Sequence, residues 1–289
     1  MAATDKLFAG AIPELYDRLL VPMIFEPFAQ DLAERVAALK PRDVLEVAAG
    51  TGVVTRAMAS RLGGAVRIIA SDLNQPMLDR AMSQQGGDAH IEWRQADALA
   101  LPFEALSFDV VACQFGVMFF PDKEKGYREA RRVLRPGGHY LFNVWDDLAT
   151  NEFPLVVTQA LEELFPDDPP HFMARVPHGY CDLATIERSL EAAGFSDVSI
   201  ETLDRTSRAA SALDVATAYC QGTPLRAEIE ARAPGGLDAA TQWAGKALAQ
   251  EFGESEITGR IRAHVVTAVA PLGPRRGRKA ASRRPRRRN

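Results

Sequence analysis

The stretch from Val44 to Met58, VLEVAAGTGVVTRAM, constrains this chain more than any other, because it reads as a buried strand that ends in a carboxylate, turns on glycines and re-enters a helix. Val44, Leu45 and Val47 have the apolar character of a short parallel strand. Gly50 and Gly52 allow a tight turn that can approach a ligand closely, and Val53 to Met58 opens a helix whose first N–H groups face that ligand. Gly50-Thr51-Gly52 alone would suit any strand-to-helix turn. Two carboxylates narrow the reading: Glu46 stands just ahead of the glycines, and Asp72 closes a second apolar run, VRIIASD. A nicotinamide or flavin site wants G-x-G-x-x-G/A and a pyrophosphate on the helix N-terminus. Here the third position is Thr55, and Glu46 would repel a pyrophosphate while suiting a cationic ligand.

S-adenosylmethionine (SAM) carries an ammonium and a sulfonium and no phosphate, so it meets that electrostatic demand. Four further motifs follow in order: SDLNQPML, RQADALALPF, FDVVACQFGVMFF and REARRVLRPGGHYLFNVW. With VLEVAAGTG, they make the chain resemble, over about residues 8 to 205, the class I SAM-dependent methyltransferases, and among them the ubiquinone/menaquinone-biosynthesis-like (type 11) small-molecule group. The resemblance implies an α/β fold in three layers, with a seven-stranded, mostly parallel, Rossmann-like sheet and helical cover insertions. One departure is Ala48, where the family's E/D-x-G-x-G-x-G pattern has its first glycine.

By the same resemblance the SAM-binding residues are Tyr16, Glu46, Ala48, Gly50, Gly52, Asp72, Leu73, Met77, Asp97, Ala98 and Gln114. Tyr16, in a Tyr-Asp pair, would lie near the methionine end. Asp72 would accept both ribose hydroxyls, since a carboxylate offers two oxygens to two donors; capping the helix from Gln75 to Gln84 is its other reading. Met77 would floor the adenine or simply fill core. Asp97 would accept from the adenine amino group, with the Ala98 N–H meeting a ring nitrogen, or would serve a turn.

Composition bounds the rest. The chain has 289 residues, 47% hydrophobic and 25% charged, ordinary for a globular protein with a sizeable core. Cys113, Cys181 and Cys220 are odd in number and form no C-x-x-C pair, which argues against a disulfide framework and fits a reducing cytoplasm. No run of 18 apolar residues suggests a membrane span, and Met1 to Ile12 lacks the pattern of a signal peptide. Pro274 to Asn289 holds nine Arg and Lys and no acid; removing those charges from a net −4 leaves −13 for residues 1 to 273. That tail is expected to be disordered and is a candidate for contact with anions. The acidic body argues against nucleic acid as substrate.

Residues 1–40 form an expected N-terminal helical lid, with Phe8 to Phe28 broken into short pieces by Pro13, Pro22 and Pro27 and an amphipathic helix from Glu26 to Leu39. Residues 41–273 form the expected catalytic domain, with proline-punctuated or helical covers at about 150–180 and 211–254, and 274–289 the tail. Beyond strand four the chain has Gln114-Phe115-Gly116-Val117, where the family's methyltransferases of exocyclic base nitrogens carry D/N-P-P-Y/F. Phe115, Met118, Phe119 and Trp145, with Asn143 and Phe120, are therefore read as substrate-contacting residues for a small, hydrophobic acceptor, or in part as core. No catalytic residue stands out; His178 and Tyr180 are candidates for a general base, as is His171, each against a plain loop role. There is no metal-ligand cluster. The reaction expected is in-line transfer of the SAM methyl group, with S-adenosylhomocysteine as product. A non-catalytic SAM-binding regulator, a nicotinamide oxidoreductase and a cysteine-dependent metalloid methyltransferase are the alternatives weighed.

Overall fold

The computed structural model describes residues 5, 8–85 and 90–272. The basic tail, 274–289, lies outside them. A continuous helical path comes first: α1 (Ile12–Leu15), a π-helical segment (Tyr16–Phe25) and α2 (Glu26–Ala38). This corrects the expectation of short broken pieces. Pro13 and Pro27 occupy first turns, where no N–H is needed, and Pro22 falls inside the π segment. The wider spacing there, seen where Glu26 N–H donates to Val21 O, accommodates the missing donor without a break.

Alternating units follow: β1 (Asp43–Val47), α3 (Val53–Leu62), β2 (Arg67–Asp72), α4 (Gln75–Gln85), β3 (Ile91–Gln95), β4 (Phe108–Gln114), α5 (Lys123–Val133) and β5 (Leu134–Trp145). Side chains set several boundaries: Asp122 accepts from Lys125 N–H to start α5, and Gly137, at φ +79°, turns the chain within β5. The cover α6 (Glu152–Leu164) and α7 (Phe172–Arg175) comes next, then α8 (Leu183–Ala192), capped by Asp182, and β6 (Ser196–Ser211). A second cover, α9 (Ala212–Gln221), α10 (Leu225–Arg232) and α11 (Leu237–Phe252), precedes β7 (Ser255–Val269).

Among the described residues these strands form a seven-stranded sheet in the order β3-β2-β1-β4-β5-β7-β6, with β7 alone antiparallel to its neighbours. On one face, Leu32 and Val36 of α2 and Val54 and Met58 of α3 pack on Val44, Ile68, Val110 and Leu141. The other face buries Leu45, Val111 and Phe142 with Tyr127 of α5 and Leu190 of α8. Strands covered on both sides by helices carry apolar runs on both faces, as VLEV and FDVVAC do.

The strand order reverses between β1 and β4, and the crevice beyond their carboxyl ends is where an open α/β sheet receives ligands. β6 and β7 are far longer than β1, at 16 and 15 residues against 5, and stay paired from Ser196↔Val269 to Ser211↔Ser255. At roughly 3.3 Å per residue this ribbon overshoots the sheet on the crevice side and carries α9 to α11 over it.

Candidate active site

The turn after β1 is tied to β2. Asp72 accepts from Gly50 N–H through Oδ2 at 2.9 Å and from Asn74 N–H through Oδ1 at 2.8 Å. Burial pushes its carboxyl above the ordinary range, against those hydrogen bonds. Beneath the turn, Glu46 is 1% exposed and accepts from Thr55 Oγ1 at 2.5 Å. Burial pushes Glu46 up to about 8, opposed by Thr55 and Arg56. Thr55, which breaks the dinucleotide pattern, thus holds the buried acid.

Ala48 adopts φ +55°, a left-handed conformation that disfavours a side chain. Its methyl has room because position 116 is glycine: a Cβ on Gly116 would lie 2.5 Å from the Ala48 Cβ and 2.8 Å from Cys113 Sγ. Phe115 is also left-handed, at φ +50°, and its ring stacks on Trp145 at 3.7 Å and 6°. Strain in a bulky residue at this crevice aims its ring across the mouth.

Two cavities open there. One, of about 800 Å³, is lined by Tyr16, Ala48, Gly50, Asp72, Leu73, Met77, Asp97, Ala98 and Gln114 among others. A Cβ on Gly50 would meet Met77 Cε at 3.6 Å and Tyr16 Oη at 4.0 Å. The other, of about 580 Å³, is mostly apolar, with Leu20, Ile24, Phe25, Trp145, Phe172 and Ile261 on its walls and Asn151, His178, Tyr219 and Thr223 among its polar members. Phe8, Tyr16, Phe115 and Phe119 line both and form the partition. Asp17 pins the π segment beside them through Arg80 at 2.8 Å and Arg56 at 3.8 Å. Burial and the neighbouring Asp72 and Asp17 raise the Tyr16 phenol well above its usual value.

Several expected residues lie elsewhere. Gly52, at φ +81°, faces Trp93 and Ala81, 2.8 and 3.1 Å from a Cβ placed on it, so it serves helix packing and not approach to the cavity. Glu46 lies below the cavity floor and not on its wall. Met118 is 1% exposed within the core and lines neither cavity. Tyr180 meets Tyr127 Oη at 3.1 Å and Lys123 over its ring, away from both cavities. Asn143 is fully buried with neither side-chain atom hydrogen-bonded, and its carbonyl accepts from Phe115 N–H. His171 is absent from the walls as well; its N–H donates to Glu228. None of the three cysteines lines either cavity, and burial pushes the Cys113 and Cys220 thiols up to about 12 and also raises Cys181, so a thiol-dependent reaction gains no support. Sequence reasoning missed Tyr219, Phe25, Phe172 and Ile261. Periodicity marks them as apolar-face residues but does not tell a core face from a cavity wall.

The methyltransferase domain family matches residues 45–142. A ubiquinone/menaquinone biosynthesis C-methyltransferase of Hahella chejuensis is 41% identical over 101 residues, 34% of this chain and 41% of that protein. The demethylmenaquinone methyltransferase of Deinococcus radiodurans is 33% identical over 167 residues, 57% of this chain and 69% of its own length. The chain belongs to the class I SAM-dependent methyltransferases of the ubiquinone/menaquinone type. A solved phosphoethanolamine N-methyltransferase of Haemonchus contortus in complex with SAM shares the fold of this methyltransferase, at TM-score 0.57 and 19% identity over 91% of this chain and 56% of the other. SAM is the cofactor. The larger cavity fits it: the bare Gly50 backbone leaves a cradle, Asp72 and Asp97 bring acceptors for hydroxyl and amino groups, and Gln114 Oε1 is buried there with no partner.

Proposed function

We propose that SAM occupies the 800 Å³ cavity and a small hydrophobic acceptor the 580 Å³ one, with methyl transfer across the partition of Phe8, Tyr16, Phe115 and Phe119. The observation that carries this reading is the shared wall between a polar and an apolar cavity, because in-line displacement needs the two reactants on opposite sides of one short path. SAM supplies an electrophilic methyl group on a sulfonium. In this reading Asp72 accepts from the ribose, Leu73 and Met77 flank the adenine, and Asp97 with Ala98 meets its polar edge. Gln114 and Tyr16 stand toward the methionine end, and the aromatic partition excludes water. Glu46 and Gly52 act from behind the loop, Glu46 by its hydrogen bond with Thr55 and Gly52 by packing.

The acceptor class rests on the apolar walls and on the names of the relatives, which act on demethylmenaquinone or in ubiquinone and menaquinone biosynthesis. A hydrophobic, quinone-like ring suits a cavity with this lining. The lid and the two covers are read as parts of one catalytic domain, since all three contribute walls: Leu20 and Phe25, Phe172, and Tyr219. Three unpaired cysteines support a cytoplasmic setting, and the nine basic residues of the tail support contact with anions. Among the described residues no helix is long and apolar enough to cross a membrane.

A labelled-methyl screen over quinols, phenols, fatty acids, amines, RNA and protein tests the assignment. Preferential labelling of an apolar ring compound is expected, with Trp145→Ala impairing its use while SAM affinity holds. Preferential labelling of RNA or a protein side chain would end the small-acceptor reading, and SAM binding with no turnover on any class would favour a regulatory role.

A further inference from the structure

The second cover brings to the apolar cavity a polar group that the protein itself leaves unused. Tyr219 lies near the end of α9, is 3% exposed, and lines this cavity but not the larger one. Its backbone is fixed, since its carbonyl accepts from Thr223 Oγ1 at 2.7 Å. Among the described residues its hydroxyl has no hydrogen-bond partner. A buried phenol ordinarily finds one, so an orphan on a cavity wall marks a place for a ligand atom. Burial raises this phenol above its usual value and no charged neighbour contributes, so the hydroxyl keeps its proton and can donate.

Most other polar side chains on this wall have no donor to offer. Asn151 Nδ2 is occupied by the Asp146 and Asp147 carbonyls and Thr150 Oγ1, while its Oδ1 accepts from Arg262 N–H. Thr223 Oγ1 gives its proton to Tyr219 O, and Pro154, Pro177 and Pro224 have no N–H. His178 Nδ1 lies 2.8 Å from Asp146 O, which can only accept, so Nδ1 holds the proton and Nε2 is an acceptor. Burial, pushing that ring down to about 4, keeps it uncharged. The Tyr16 hydroxyl faces the glycine turn, 4.0 Å from where a Gly50 Cβ would stand, on the cofactor side of the partition. The Trp145 indole N–H belongs to a ring stacked flat on Phe115, at the partition itself. Tyr219 is the donor set apart from the point of transfer.

Resting on the acceptor reading above, we propose that Tyr219 determines acceptor specificity: its hydroxyl donates a hydrogen bond to a ring oxygen of the substrate, on a wall that the cofactor cavity does not share, whichever atom receives the methyl. A hydrocarbon ring would fill the same space and leave the hydroxyl unbonded, and a site built around a buried polar group discriminates against a ligand that lacks its partner. Tyr219 neither takes nor loses a proton in this role. It holds the ring in one orientation toward the partition, from which the methyl arrives in line.

The test uses full-length protein saturated with S-adenosylhomocysteine and two probes of one shape, 1-tetralone, which carries a ring carbonyl, and tetralin, which lacks it. A carbonyl cannot bond the bare His178 Nε2, so the pair reports on donors alone. By calorimetry Tyr219→Phe should bind 1-tetralone about tenfold or more weakly than the wild type, and tetralin equally well. Equal losses on both probes, or none, would overturn the role. So would a loss selective for 1-tetralone in Trp145→Phe or Tyr16→Phe but not in Tyr219→Phe. The carbonyl stretch of 1-tetralone bound to the wild type is independent of any variant's folding: a band lowered from its position in cyclohexane is expected, and one at the cyclohexane position would overturn the proposal. Should the wild type bind neither probe, the acceptor reading fails and the proposal with it. Tight binding of both with no effect of Tyr219→Phe ends the Tyr219 role alone.

Discussion

The two cavities meet at one aromatic wall, yet they are built in opposite ways. The polar one draws on the carboxyl ends of β1, β2, β3 and β4 and the turns that follow them, so its residues cluster between Val47 and Pro121, apart from Phe8 and Tyr16. The apolar one draws on the π segment, α6, α7, α9 and β7, from Phe8 to Ile261. A site made by strand ends inherits its geometry from the sheet, whereas one made by covers depends on helices packed over a gap. The first is suited to one invariant ligand and the second to a ligand that differs between enzymes of one fold.

If that division holds, a change in the partition should damage both ligands at once. Phe115→Ala removes a nearly buried ring that stacks on Trp145 and should cost about 3 to 5 kcal/mol of stability by denaturant titration, with both SAM and acceptor affinity weakened. Loss of acceptor binding alone would mean that the cavities do not share this wall functionally. Asp72→Ala sharpens the contrast from the cofactor side: SAM affinity should fall by about 1.5 to 3 kcal/mol in calorimetry while acceptor binding holds. Unchanged SAM affinity in a folded variant would take Asp72 out of the site.

A smaller effect separates the hidden acid from the wall. Glu46 is raised to about 8 in the folded protein, which therefore keeps a proton that the unfolded chain releases above its ordinary value. The sign follows: the stability contributed by Glu46 without ligand is fully present below the ordinary glutamate range, falls as pH rises through it, and levels off above about 8. Glu46→Gln should flatten that slope by up to about 1.4 kcal/mol per pH unit in thermal or urea unfolding between those limits. An unaltered slope would show that Glu46 is ionised in the folded state at neutral pH.

Legibility in the sequence follows the same divide. Val44 to Gly52 and VRIIASD could be placed on strand ends because apolar runs closed by a carboxylate leave few alternatives in a parallel sheet. Tyr16, Asp72 and Gln114 do converge on one cavity. Met118 and Phe119 were inseparable in the sequence, since adjacent apolar residues after a strand point to different sides and periodicity does not say which side is hollow. Tyr219 gave no signal, because one tyrosine in an apolar helix looks like core. β7 showed a partial alternation: Ala263 to Val266 are all buried, as both faces of the strand are covered where it runs between β5 and β6. The π segment was hidden as well, since Pro22 signals a break unless the helix widens around it.

The methyl of Ala48 and the empty side of Gly116 occupy one space between two loops, 2.5 Å apart if both carried a Cβ, with Cys113 closing it from another side. Such an exclusion couples the two loops sterically: as they stand, a Cβ at 116 and the methyl of Ala48 do not fit side by side. Returning position 48 to glycine would relieve its left-handed backbone without freeing position 116, because Cys113 Sγ would still lie 2.8 Å from the new carbon.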